Sequence, residues 1–376
     1  MSQPIISTPI MTELDLLDTA GAASLRLRPA GLMTGNLARA AIAAGNALPL
    51  AGGIIAFPLV EILARTEDGI LSALAPLRRL RLWACQQNDT ERARIETQLL
   101  RLSEPRQTWA GLDLRRPIIM GIVNVTPDSF FVGTGADTEK GVALGRALLE
   151  AGADIVDIGG ESTRPGAAAI SPEEEMRRLE PVVRALANAG AIISVDTRHA
   201  PVMAAALSWG ARIVNDISAL EGEGSLEIIA RTGAPVVLMH MQGEPKTMQK
   251  EPHYALASLD IADYLGARIA RCVEAGVPPH RIVVDPGIGF GKTPAHNLEL
   301  LARLSLFHGL GCGVLIGVSR KSLVGRISGA PVEARLPGSL AGALAALSQG
   351  AQILRVHDVA ETCQAVAMWQ AIATGT

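Results

Sequence analysis

Eight apolar runs, each ending near a polar or charged residue and separated by helical patterns, constrain this 376-residue chain more than any other feature. They are 118–124 (IIMGIVN), 153–159 (ADIVDIG), 191–197 (AIISVDT), 212–217 (RIVNDI), 235–241 (PVVLMHM), 281–287 (RIVVDPG), 313–320 (GVLIGVSR) and 351–358 (AQILRVHD). A short apolar run bounded by polar residues reads as a strand of a parallel βα unit. Amphipathic helices are expected between the runs, over 138–151, 172–188, 259–275 and 340–348; the second has Ser171 as its cap and an acidic first turn. Eight βα units over roughly 260 residues match a (β/α)8 barrel, the TIM barrel, in count and length. A doubly wound open sheet is the other α/β solution, but it seldom needs eight parallel strands.

The composition shifts near residue 110. Upstream, 78–101 is rich in Arg, Gln, Glu and Thr and reads as a solvated helical surface. Residues 108–117 (TWAGLDLRRP) read as a linker closed by a short strand. The expected organisation is an N-terminal extension, 1–110, whose fold and role no motif specifies, followed by a barrel domain over 111–376. One stretch, 40–60, runs 21 residues without a charge, long enough to span a bilayer. Asn46, Pro49, Gly52, Gly53 and Pro58 interrupt any helix there, so a buried hairpin or core segment is expected and no membrane partner. The 34 basic against 37 acidic residues leave a charge of -3, which disfavours nucleic acid as a partner. Cys85, Cys272, Cys312 and Cys363 form no CxxC pair, and MSQPIISTPIMTELD has no basic stretch before an apolar run. A reducing, cytoplasmic location is expected.

In a TIM barrel the functional residues gather where strands end. Those ends supply Asn124, Asp157, the ESTRPG loop at 161–166, Asp196, Asn215, Asp216, His240, Asp285, Ser319, Arg320, Lys321, Arg355 and His357. Any one of them could merely cap the following helix, but a whole ring of caps is a poor account. Asp196, Asn215 and Asp285 are acceptor-rich and suit the N–H edge of a flat amino-oxo heterocycle. Met239, Met241, Ile217 and Phe290 are the nearest apolar walls, although Met on a strand is often plain core. Alternation predicts Met239 and Met241 on one face with His240 opposite, and Met239 ranks above Met241. Arg355 and His357 share a face of the last strand and Lys321 closes the one before, a pairing suited to phosphate or diphosphate. An ion pair of Arg355 with Asp358 or another carboxylate is the alternative use. The glycines of DPGIGFGKT (285–293) miss the P-loop spacing, because Pro286 stands where a Gly is required. Asn124 is a neutral oxygen ligand suited to share Mg2+ with a bound diphosphate. No serine or cysteine nucleophile is marked, which favours a charged leaving group over covalent catalysis.

From 117 to about 372 the chain resembles dihydropteroate synthase, through MGIVNVTPDSF (120–130), DIGGESTRPGA (157–167), SVDT (194–197), NDI (215–217), LMHMQGEPKTMQ (238–249), DPGIGFGK (285–292), SRKS (319–322) and RVHD (355–358). The resemblance implies a transferase of folate biosynthesis that joins 6-hydroxymethyl-7,8-dihydropterin diphosphate to p-aminobenzoate, releasing diphosphate and 7,8-dihydropteroate. It implies pterin recognition by Asp196, Asn215, Asp285 and Lys321 with Met239 against the ring. Diphosphate falls to Asn124 with Mg2+, Arg164, Arg355 and His357. Thr163, Arg164 and Pro165 are similar to a mobile loop over p-aminobenzoate, and Ser322 to a residue near its carboxylate. Asp196, Asp285, Lys321, Arg355 and His357 thus become the catalytic candidates, in an SN1-like reaction where diphosphate leaves before the aryl amine attacks. A homodimer through the Ala- and Gly-rich helices near 338–348 and 360–373 is also implied. One departure stands out: the family's SFSDGG reads SFFVGTG here, so Phe131 replaces Ser and Val132 replaces Asp. Two rival functions remain open. A pterin-dependent corrinoid methyltransferase has no need of SRKS and RVHD, and a non-catalytic or altered-specificity pterin-binding paralogue has only Val132 in its support.

Overall fold

The computed structural model describes residues 10–11, 13–14, 17, 25–67, 69–125, 135–162, 170–244 and 247–375, without the side chains of 10–11 and 135–137. The extension is built from β1 (Ile10–Met11), β2 (Leu25–Ala30), β3 (Leu48–Pro49), β4 (Ala56–Phe57), β5 (Leu59–Thr66) and β6 (Gly69–Pro76), with α1 (Gly35–Ala43), α2 (Leu77–Ala84) and α3 (Asp89–Ser103). Strands β1, β6, β5 and β2 form one sheet in that order, and β3 pairs with β4 as a small hairpin.

Strand alternation gives this sheet two different faces. Leu25, Leu27, Val60, Ile62 and Ala64 point toward α2 and α3 and build a core with Trp83, Ile95, Leu99 and Leu102. Residues 78–101 are therefore not only a solvated surface: two helices lie there, and one face of each is buried. Asn88 starts the second helix by accepting from the Glu91 N–H at 3.0 Å. The charge-free stretch 40–60 folds as the end of α1, the β3–β4 hairpin and the entry to β5, with turns at Gly45 (φ 70°) and Gly52 (φ 68°). Among the described residues no helix is long and apolar enough to cross a membrane.

The barrel strands are β7 (Ile118–Asn124), β8 (Ile155–Gly159), β9 (Ile193–Asp196), β10 (Ile213–Asp216), β11 (Val236–Met239), β12 (Ile282–Asp285), β13 (Gly313–Ile316) and β14 (Ile353–Val356). All eight are parallel, and β14 pairs with β7 to close the barrel. The helices around them are α4 (Gly135–Glu150), α5 (Pro172–Asn188), α6 (Ala200–Ser208), α7 (Ser225–Thr232), α8 (Ala257–Glu274), α9 (Pro294–Ala302), α10 (Ser322–Ser328), α11 (Leu336–Ser348) and α12 (Val359–Thr374). Ser171 caps α5 as expected, accepting from the Glu174 N–H.

The segment read as a linker does more than connect. Trp109 is fully buried with Leu114 against Ile118, Met120, Ile213, Val283 and Ile353, stoppering the barrel end opposite the strand C-termini. Its indole N–H donates to the Arg281 carbonyl at 3.0 Å. The short strand expected there is only a bridge between Trp109 and Leu112.

The other face of the extension's sheet docks on the barrel. Leu63 and Ile70 join the barrel's outer core, while Glu61 on the same face is buried between two arginines. Arg303 binds its carboxylate at 2.6 Å, Arg28 binds the same oxygen, and the Ser72 hydroxyl donates to the other oxygen at 3.1 Å. Burying an unpaired carboxylate would be very unfavourable, and two cations plus a hydroxyl offset that cost here.

Candidate active site

Four strands converge on one arginine. Arg355, near the end of β14, donates from Nε to Asp157 Oδ2 and from Nη2 to Asp196 Oδ2, both at 2.6 Å. Asn215, at the end of β10, donates from Nδ2 to the same Asp157 oxygen at 3.1 Å. Asp157 is wholly buried on β8, and among the described residues its Oδ1 has no hydrogen-bond partner. Burial pushes Asp196 up to about 7, against the pull of Arg355 and with a further push from Asp157. Arg355 is raised too, but for the opposite reason: its carboxylate partners outweigh its own burial and hold it above the usual guanidinium value.

Across the barrel mouth stands a second acid–base pair. Asp285 ends β12 beside Met239, the last residue of β11, and accepts the Gly287 N–H at 2.7 Å. Its carboxyl is raised by burial, while Lys321 and a backbone N–H oppose the shift. Lys321 donates from Nζ to the Ile288 carbonyl and lies 4.9 Å over the Phe290 ring. Burial brings its ammonium down to about 8, although Asp285 favours the charged form.

The glycines between these residues serve close packing of two loops. A Cβ on Gly287 (φ 70°) would sit 2.0 Å from the His240 carbonyl oxygen, and one on Gly291 (φ 61°) 2.6 Å from that of Gln242. Lys292 staples the same loops together, donating to the Phe290 carbonyl at 2.7 Å and the His240 carbonyl at 3.2 Å. Its Nζ also lies 3.0 Å from His240 Nδ1. Burial lowers both, His240 to about 2, so its imidazole is neutral. His240 packs edge-on to Tyr264 at 4.9 Å.

Residues 120–357 match the family described as pterin binding enzyme. The chain is 48% identical over 263 residues to the dihydropteroate synthase of Escherichia coli (strain K12), a match covering 69% of this chain and 93% of that protein. The chain belongs to the dihydropteroate synthase family. Two solved structures from Xanthomonas albilineans carry the same name. One, with 4-aminobenzoic acid, superposes with TM-score 0.67 at 46% identity, covering 71% of this chain and 98% of that one. The other, in complex with 7,8-dihydropteroate, superposes with TM-score 0.64 at 42% identity, covering 72% and 98%. The chain is thus an enzyme, a transferase of the dihydropteroate synthase family.

The candidate site residues that the structure describes fall into three groups. Asp196, Asn215 and Arg355 form one cluster; Met239, Asp285, Phe290 and Lys321 form the facing one. Asn124, His357 and Ser322 ring them. Asn124 pairs in register with Gly159, where a Cβ would lie 3.6 Å from Asn124 Oδ1 and 3.8 Å from Asp196 Oδ2. His357 places Nδ1 3.0 Å from the Ser319 hydroxyl. Ser322 is exposed at the first position of α10. Thr163, Arg164, Pro165, Phe131 and Val132 lie outside the described residues. Arg355 does pair with carboxylates, but not with Asp358, whose partner is Arg320. Met241 lies beyond the end of β11, half-buried, so strand alternation does not carry it onto the face of Met239. Asp157 and Ser319 belong to the strand-end ring but carry no assigned role there, and Lys292 is missing from it although it closes DPGIGFGK. The structure gives all three a place, Asp157 under Arg355, Ser319 beside His357 and Lys292 between the two loops.

Proposed function

We propose that this chain condenses 6-hydroxymethyl-7,8-dihydropterin diphosphate with p-aminobenzoate, releasing diphosphate and forming 7,8-dihydropteroate. The observation that carries the reading is the pair of facing clusters, Asp157–Arg355–Asp196–Asn215 and Asp285–Lys321. Acceptors from Asp196, Asn215 and Asp285 suit the amino and ring N–H groups of the pterin, with Met239 and Phe290 along its faces. Arg355 gives two of its five N–H donors to carboxylates and keeps others for an anion. It serves the diphosphate together with His357, and Ser322 lies toward the p-aminobenzoate carboxylate. As diphosphate departs, positive charge grows on the pterin methylene, and buried carboxylates are well placed to stabilise it. The neutral amine then attacks with no enzyme nucleophile required.

The residues suit Mg2+ only as a shared ion. Among the described residues no group of three His, Cys, Asp or Glu could hold a metal. Asn124 offers a neutral oxygen at the open corner beside Gly159, fit for an ion whose remaining ligands are diphosphate and water oxygens. Such an ion would neutralise leaving-group charge.

A homodimer through α11 and α12 accompanies this reading, supported by Met368 and Ile372 on α12, 60% and 74% exposed. A cytoplasmic location is likewise proposed, in keeping with four free thiols. The deciding experiment incubates the protein with Mg2+, the pterin diphosphate and p-aminobenzoate, and follows diphosphate and dihydropteroate by chromatography. Stoichiometric formation of both is expected. Pterin binding without diphosphate release would overturn the synthase reading in favour of a non-catalytic pterin-binding protein.

A further inference from the structure

The extension touches the barrel close to the candidate site. Arg26 of β2 and Arg65 of β5 both reach α8, and both bind Asp263, from Nε at 3.0 Å and 3.1 Å. Only Arg65 goes further. Its Nη2 also donates to Asp260 Oδ1, while the other Asp260 oxygen accepts the Ala255 N–H at 2.7 Å. Ala255 follows Tyr254, whose hydroxyl donates to the Gly291 carbonyl at 2.7 Å. The Tyr254 ring is held edge-on to His296 at 4.9 Å and tilted on His240 at 5.9 Å. Gly291 lies between Phe290, the ring beneath Lys321, and Lys292, the staple of the two loops. From Arg65 to Lys321, every step is a direct contact or a neighbouring residue.

We propose that Arg65 is a positioning residue for the pterin site. By fixing Asp260 it sets the path of Ala255 and Tyr254, and through Gly291 the turn that presents Phe290 and Lys321. The proposal rests on the synthase reading for its kinetic consequence but not for its structural one. Arg65 and both aspartates are partly exposed, so these ion pairs add little to stability. Their worth is orientation: a two-pronged guanidinium bridges two carboxylates in a way a single ammonium cannot.

The test compares full-length wild type with Arg65→Met, Arg65→Lys and Arg26→Met. Arg26→Met removes a contact to Asp263 from the same interface and leaves the path through Asp260 intact. Amide hydrogen exchange over 247–256 is expected to accelerate in Arg65→Met, to be partly restored in Arg65→Lys and to be unchanged in Arg26→Met. KM for the pterin diphosphate should rise about fivefold in Arg65→Met with kcat within about twofold, the scale of coupling carried by residues remote from a ligand. Unchanged exchange in Arg65→Met, or equal acceleration in Arg26→Met, would overturn the proposal, the latter by reducing Arg65 to general docking. If the wild type makes no dihydropteroate, the synthase reading falls, and the exchange contrast still decides the role of Arg65.

Discussion

A guanidinium held between two buried carboxylates can be stripped of its charge without losing its bulk. Arg355→Met leaves Asp157 and Asp196 facing each other without a cation, a loss on the order of 3–5 kcal/mol while both stay ionised. The site can escape that cost if Asp196 takes a proton, so its folded-state pKa, already raised by burial, rises further above the unfolded value. A group raised in this way loses stability as pH rises from the unfolded pKa toward the folded one. The melting-temperature deficit of Arg355→Met should therefore be larger at about pH 8 than at about pH 5, and an equal deficit at both would remove Arg355 from the pair. In the intact site Asp196 is ionised above about 7 and Lys321 is charged below about 8. Dihydropterin affinity, measured by calorimetry, should be bell-shaped with flanks near those values. Asp196→Asn flattens the acid limb and Lys321→Met the alkaline one; a limb unmoved by its own substitution belongs to another group. The strand-end ring was legible in the sequence, but the partnership of its members was not. From sequence, Asp196 suggests a heterocycle acceptor and Arg355 an anion ligand. Yet Arg355 and Asp196, 159 residues apart, share a hydrogen bond because β14, β7, β8 and β9 lie side by side in the closed sheet.

Elements with a strong period were the easiest to read. The capped, acidic start of α5 and the eight apolar runs reproduce themselves as a helix and eight strands, since local patterning and tertiary burial agree there. Where they diverge, the pattern misleads: 78–101 looks polar because only one face of α2 and of α3 is buried, and 108–117 looks like a linker because its burial rests on Trp109 and Leu114. The glycines of the 285–293 loop have a use that shows only beside the neighbouring loop, whose His240 and Gln242 carbonyls they approach. Gly287→Ala puts a methyl group onto the His240 carbonyl in a left-handed backbone and should destabilise by more than about 2 kcal/mol, as strain and overlap combine. Gly276→Ala has φ 91° but nothing within 4 Å, and should cost about 1 kcal/mol. Chemical denaturation of both variants measures the difference. Equal losses would mean that backbone conformation alone, and not the loop–loop approach, requires Gly287.

On the scale of the whole molecule, the extension and barrel share one buried charge cluster. Burial by itself would raise the Glu61 carboxyl, but Arg28 and Arg303 more than offset it and hold it below the usual carboxylate range. A depressed carboxyl stabilises the fold above its unfolded pKa and loses that contribution as pH falls through the folded value. Acidification below about pH 4 should therefore loosen the extension from the barrel before the barrel itself melts. Trp83 lies in the extension's core and Trp109 in the barrel's stopper, so their fluorescence in single-tryptophan variants separates the two events. Near neutral pH, Glu61→Gln removes the charge that both arginines need, a loss on the order of 3 kcal/mol for breaking a buried pair. It should split one thermal transition into two, with the extension first, because Leu63, Ile70 and the partly exposed Arg26 and Arg65 pairs to α8 then have to hold the interface without the buried ion cluster. In that variant the acid transition of the extension should also vanish, since its titrating group is gone; an acid midpoint that Glu61→Gln leaves in place would assign the coupling to the Asp260 and Asp263 pairs on α8.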